Sequence, residues 1–403
     1  MQKKSVANRS SQSNQRMVRR RSDNKMVRNI AYDYRSAVVK VDAPDFNIGE
    51  RERITKIIKM IDDSLDFIDS NYLEAEAGES AGKSYIIASA SALTAKNMII
   101  ATGDAISRET DALIIDDIGY RNYMDLIDSA TVESDQVNKA AELMRSFSSS
   151  SEEYRKLETI LNSEKIDGSS EKLGNLRAGK TMQLLSSIRD MGGNISYHTS
   201  SMGGAGDLLA AVSQYYPRDW CDKSSAHDDV YVRRAAPGEM SSAMLAAYSH
   251  NATFTVPLHK GSAPVDQSGA ALTLNTAEGT RAVAHELGHR FSNLYPDIKA
   301  MELATIADTG RGFFNPLVQG YSTADGDIKI ERDISDANYY GDNNRIMVPR
   351  NSISDEYAYS FNVGSTPELF PTGVEALFGG GKRTADSVAE RDNFALGVLA
   401  TIR

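Results

Sequence analysis

Apolar residues in the first half of the chain recur at helical spacing. Ile54, Ile57, Ile58, Ile61, Leu65 and Ile68 mark out one face of an amphipathic helix. Tyr85 to Ala101 is apolar and rich in Ala and Ser, which predicts a second helix stopping at Gly103. Ser134 to Phe147 predicts a third, with Val137, Ala140, Ala141, Met144 and Phe147 on its core side and a serine run at 148–151 to break it. Ser150 and Glu153 then stand at capping-box spacing before Tyr154, Leu157, Ile160 and Leu161. Residues 162–175 are polar and rich in Gly and Ser, the composition of a linker, and Met182 to Met191 predicts a helix ended by Gly192-Gly193.

After residue 190 the period changes. Asp228 to Ala235 and Ser241 to Ser249 read as strands around a Pro237-Gly238 turn. Phe254, Val256 and Leu258 alternate with Thr253 and Thr255 as a third strand. Pro257 cannot donate to a ladder, which makes it an edge strand. A helix of about five turns follows, between capping-box residues Asn275 and Glu278 and the stop at Pro296. Its apolar stripe is Val283, Leu287, Phe291 and Leu294. Residues 310–350 are rich in turns, with Asp325-Gly326 between strand-like pieces, and Asp392 to Ile402 closes the chain as a helix. The expected fold class is α+β: a mainly helical region over 31–190, then a mixed domain over 191–403.

Composition adds bounds. The 403 residues allow two or three domains, and 41% hydrophobic residues is ordinary for a globular protein. No apolar run reaches the roughly 18 residues of a membrane span, so no membrane partner is expected. The first 25 residues have no apolar segment of a secretory signal. Cys221 is the one cysteine, which suits a reducing cytoplasm. Residues 1–30 hold nine Lys/Arg against Asp23, a net of +8 in a chain of −10, leaving −18 for the rest. This basic arm reads first as a solvated disordered tail, and second as a contact for nucleic acid or an acidic surface.

The chemistry is concentrated on the expected five-turn helix. His285-Glu286-Leu287-Gly288-His289 spells HExxH, with the two histidines one turn apart and roughly opposite the apolar stripe. Two imidazoles so placed reach one zinc ion, and Glu286 reaches a water on it as general base. Surface histidines at this spacing also occur by chance. Against that, the opposite face is apolar, Gly288 leaves room, and these are two of only six histidines. A catalytic zinc wants a third protein ligand; Asp308, close to thermolysin-like spacing, Glu302 and Glu375 are candidates, and Cys221 beside Trp220 reads as packing. Two phosphate-loop spellings compete: Gly174 to Thr181, and Ala77 to Ser84 with Leu113 to Asp117 as a partner strand. Neither follows a buried strand, so both read as small-residue turns before helices.

Over somewhat less than half the chain, an ordered set of motifs resembles the zincin-like metallopeptidase domain of tailed-phage and prophage proteins. The set is Tyr216-Pro217-Arg218-Asp219-Trp220, then HELGH, then Tyr357 to Phe361, then Ser365 to Phe378 with its ELFxTGxEALF-like core, then Asp392 to Leu399. Pro371 departs from the small polar residue of that pattern, so a helix is expected at or after it. The resemblance implies Glu368 as third ligand, as in the Glu-x-Phe arrangement of lethal-factor-type zincins, and Tyr357 or Tyr359 as oxyanion donor, with His198 a weaker candidate. It implies a zinc peptidase acting on a peptide or protein, in a host cytoplasm or on a virion. A peptide could add to the edge strand over Ala252 to Leu258. The rivals are a virion structural protein whose zincin fold no longer cleaves, and a nucleotide-driven protein.

Overall fold

The computed structural model describes residues 46–403 apart from 81–82, 145–150, 154, 157–167, 200–203, 236–245, 257–264, 275–279, 311–320, 323–327, 334–344, 347–360, 363–366 and 379–388. The basic arm, the Asn275/Glu278 cap, the Pro237-Gly238 and Asp325-Gly326 turns, and Tyr357 and Tyr359 lie outside the described residues.

Helix α1 (Ile48–Ser70) follows its apolar pattern: Ile54, Ile57, Ile61, Leu65 and Ile68 are buried. Asn47 caps it with a reciprocal capping box to Glu50. The predicted helix at Tyr85 divides. Strands β1 (Ala75–Ser80) and β2 (Lys83–Ala88) form an antiparallel hairpin, and α2 (Ala90–Ile118) begins only after Ser89, whose hydroxyl accepts from Ala92 N–H. The helix then passes straight through Gly103, the expected stop. Glycine there answers to packing against the backbone at Asn393. Helix α3 (Tyr120–Met144) begins fourteen residues earlier than expected. Helix α4 (Ser169–Ile188) takes up the second half of the expected linker, starting from Gly168 at φ 75°. Gly, Ser and Asn in 168–175 weaken helix propensity, but Leu173 and Gly174 are buried, and that packing prevails.

Both phosphate-loop spellings dissolve. Gly174 to Thr181 lies inside α4, Ala77 to Ser84 spans the β1–β2 hairpin, and Leu113 to Asp117 is part of α2. Neither spelling connects a strand to a helix, as a phosphate cradle must.

The short helices α5 (Ala205–Ser213) and α6 (Arg218–His227) lead into a four-stranded mixed sheet ordered β3-β4-β6-β5. Its strands are β3 (Tyr197–His198), β4 (Val230–Arg234), β5 (Ala246–Val256) and β6 (Val265–Leu274), with β5 antiparallel to β6 and the other pairings parallel. Two strands expected around residues 241–258 are one strand, β5, with a register shift between Ser249 and Ala252. It is an edge strand, as Pro257 required. Strand β6 carried no expectation. Its Ala270 to Leu274 run is buried throughout, and a short apolar run has no period of two to reveal it.

Helix α7 (Thr280–Leu294) carries HExxH and α8 (Pro296–Gly310) follows directly. Strands β7 (Tyr321–Ser322) and β8 (Ile328–Asp333) extend the N-terminal hairpin into a sheet ordered β1-β2-β8-β7. Strands β9 (Arg345–Ile346) and β10 (Phe361–Asn362) pair separately. Helices α9 (Leu369–Phe378) and α10 (Ala389–Thr401) complete the chain. Among the described residues the architecture is α+β, dominated by helices.

Packing runs across residue 190. One apolar core joins Ile54, Ile99 and Leu184 to Leu287, Phe370 and Phe394. At its centre α2 and α10 cross antiparallel with their backbones touching. A Cβ on Gly103 would lie 1.7 Å from the Asn393 carbonyl oxygen, and one on Gly397 would lie 2.0 Å from that of Ile99. Neither position tolerates a side chain.

Candidate metal centre

Helix α7 is anchored on every side but one. Val283, Leu287 and Phe291 are fully buried. Phe291 meets Tyr216 and Trp220 at ring-centroid distances of 4.6 and 5.2 Å, and Tyr216 donates its hydroxyl to the Ala284 carbonyl. Trp220 donates its indole N–H to the Ile402 carbonyl at 2.9 Å, and Arg189 clamps Asp219 with two bonds of 2.7 Å. The Tyr216-to-Trp220 motif is therefore the bed on which the HExxH helix lies. Cys221 is fully buried there, and burial pushes its thiol up to about 12, an inert packing residue as expected.

Arg290, next to His289, fixes the helix against rotation. It is wholly buried and donates to the Ser224 hydroxyl (2.6 Å) and carbonyl (2.8 Å), and to the Asp228 carbonyl (2.8 Å) and carboxylate (2.7 Å). Burial opposes ionisation of Asp228, and bonds from Arg290 and His227 override it, holding the carboxyl below its usual value. Sequence reasoning passed over this residue, because an arginine beside a motif looks like surface charge.

On the open side His285 and His289 stand edge to face, with ring centroids 5.0 Å apart. Glu368 meets both: its Oε2 is 3.1 Å from His285 Nε2 and 3.2 Å from His289 Nε2. His285 and Glu368 are buried and His289 largely so, and their ligand atoms lie within 4.8 Å of one another, a group that could hold a metal ion. Burial works against charge on Glu368, but the imidazoles of His289 and His285 outweigh it and keep the carboxyl well below the usual range.

The chemistry of the donors fits a cation. Glu375 Oε2 lies 3.0 Å from His285 Nδ1, and its other oxygen accepts from Arg281 Nε at 2.6 Å. Burial would raise the Glu375 carboxyl; His285 and Arg281 bring it down to about 2, so it is the acceptor and Nδ1 the donor. With Nδ1 committed to Glu375, His285 keeps Nε2 for the Glu368 side, and in its neutral form that nitrogen offers a lone pair which, with a carboxylate oxygen 3.1 Å away, suits a shared cation. A carboxylate behind a ligating imidazole is the usual second partner of a metal site.

The remaining candidates separate cleanly. Asp308 pairs with Lys96 at 2.7 Å, and Glu302 binds backbone and hydroxyl groups away from the imidazoles, so neither belongs to the group. Glu286 is buried and forms no hydrogen bond or ion pair with another described residue. His198 is exposed at the opposite sheet edge, stacked on Tyr231 at 6.1 Å, and stands outside the centre. Helix α9 begins at Leu369, two residues before Pro371, rather than at or after it. Proline is tolerated in a first turn, where its missing N–H has no partner to lose. Pro371 fills the space that Gly288 leaves: a Cβ on Gly288 would lie 2.7 Å from Pro371 Cα. The glycine of HELGH thus admits the helix that starts directly after Glu368. Searches of family models, curated proteins and solved structures return no match to the chain.

Proposed function

We propose that the chain is a zinc-dependent peptidase of phage or prophage origin, its catalytic domain zincin-like. The observation that carries this reading is the convergence of His285, His289 and Glu368, with the buried Glu286, which bonds to no other described residue, one residue along α7 from His285. Bound by those three ligands, zinc would lower the pKa of a water toward about 7 and polarise the scissile carbonyl.

The chain's own groups do the rest. Glu375 orients His285 through Nδ1, and Arg281 holds Glu375. Glu286 takes the proton from the water and passes it to the leaving amine. The resemblance assigns the oxyanion donor to Tyr357 or Tyr359. The substrate is an extended peptide added along β5, an edge strand among the described residues that packs against α7. The site of action is the host cytoplasm or the virion.

Glu286→Gln tests the reading. It keeps both histidines, so zinc should remain at one per chain while cleavage of a mixed peptide library falls by roughly 10²-fold or more. A wild-type chain that holds zinc and cleaves nothing would favour a non-cleaving virion component.

A further inference from the structure

We propose that Glu302 is a positioning residue, whose carboxyl fixes the segment bearing Glu368 against the helix bearing His285 and His289. The inference rests on the metal-centre reading above.

Glu302 projects from α8 and has no exposed surface. Its Oε1 accepts the Phe370 N–H at 2.7 Å, two residues beyond Glu368. Its Oε2 accepts the Ser292 hydroxyl at 3.1 Å, three residues beyond His289. One side chain from a third element thus ties together the two segments that supply the ligands. The Phe370 N–H belongs to the first turn of α9, where a helix offers no acceptor of its own. Left unmet in the core, such a donor is costly, and α9 would swing to find water.

The position asks for reach and an acceptor rather than for charge. The site is fully enclosed, and a second anion there would repel Glu368. Glutamine meets both demands, with its amide oxygen on Phe370 N–H and its amide nitrogen donating to a rotated Ser292 hydroxyl. Aspartate is one methylene too short.

The test uses the full-length protein and measures Zn²⁺ affinity by competition with a chromophoric chelator. Glu302→Ala should lose roughly 10- to 100-fold in affinity, as expected when a group supporting a ligand is removed. Glu302→Gln should stay close to wild type. Met301→Ala truncates an equally buried neighbour on α8, and should lower the melting temperature while leaving affinity near wild type. Unchanged affinity in Glu302→Ala, or an equal loss in Met301→Ala, overturns the proposal. Hydrogen exchange at the Phe370 amide of metal-free protein is the second readout: faster in Glu302→Ala, slow in Glu302→Gln. Unaltered protection in Glu302→Ala refutes the tie even if zinc binds. A wild type that binds no zinc, with exchange as expected, overturns the metal-centre reading alone.

Discussion

A fully buried guanidinium is costly unless each donor finds a partner, and Arg290 has carbonyl, hydroxyl and carboxylate oxygens around it. Lysine would bring one ammonium to acceptors spread over Ser224 and Asp228. Arg290→Lys should therefore cost roughly 3 kcal/mol, read as a lower midpoint in thermal or urea unfolding. Glu302 makes a prediction about pH. Burial raises its carboxyl to about 8 in the folded chain, above the ordinary value of 4.5. A raised folded pKa means that the stabilisation is complete below the unfolded value and is lost as pH climbs through the folded one. Metal-free wild type should lose melting temperature between about pH 5 and pH 8 relative to Glu302→Gln, whose amide does not titrate. A constant difference across that range would show that Glu302 does not ionise on unfolding. Arg290 and Glu302 were hard to read from sequence for one reason: their partners lie on other elements, and no local spacing announces them.

Glycine at an element crossing is a statement about the opposing backbone. Gly103 and Gly397 let α2 and α10 meet at backbone distance, and Gly103→Ala would drive a methyl into the Asn393 carbonyl. The expected cost is roughly 3 kcal/mol or more, measured as a fall in melting temperature. Gly288→Ala would act differently, because its methyl meets Pro371 on the helix that starts from Glu368. Zinc affinity should drop by roughly 10-fold even where the fold survives, since the ligand helix must move. Wild-type affinity in that variant would mean that the Gly288–Pro371 approach does not set the ligand geometry. The apolar period of α1 was legible because that helix buries one face; that of α7 was legible because its large apolar side chains share one stripe, although polar residues on its other sides are buried too. The start of α2 was hidden, since Tyr85 to Ala88 becomes strand by pairing with β1 and β8.

A metal held at this centre would be coupled to the whole molecule. The candidate ligands come from α7 and from the residue before α9, and both elements pack on the core shared with α1, α2 and α4. A bound metal stabilises the folded state in proportion to the logarithm of its concentration over its dissociation constant. Chelation should lower the wild-type melting temperature by several degrees and leave Glu368→Ala nearly unchanged. An equal chelator effect on both would place the metal elsewhere. The basic arm is a separate matter of charge. Deleting residues 1–30 should abolish any strongly salt-dependent binding to nucleic acid, and equal binding with and without the arm would leave it a solvated tail.

By itself the sequence determined the spacing of the HExxH residues and the amphipathic helices α1 and α7. His285, Glu286 and His289 are spaced by the helical turn, so their common face follows from 3.6 residues per turn alone. The choice of Glu368 came from the order of motifs, and the structure brings that residue between the two imidazoles across 79 positions from His289. Tertiary structure alone decided the duties of the other acids: Glu375 behind His285, Glu302 behind Phe370, Asp308 with Lys96. Four carboxylates with the same intrinsic chemistry acquire different roles because burial and the nearest donor set each one's charge and orientation. Those neighbours are brought together only when α7, α8 and α9 close on one core.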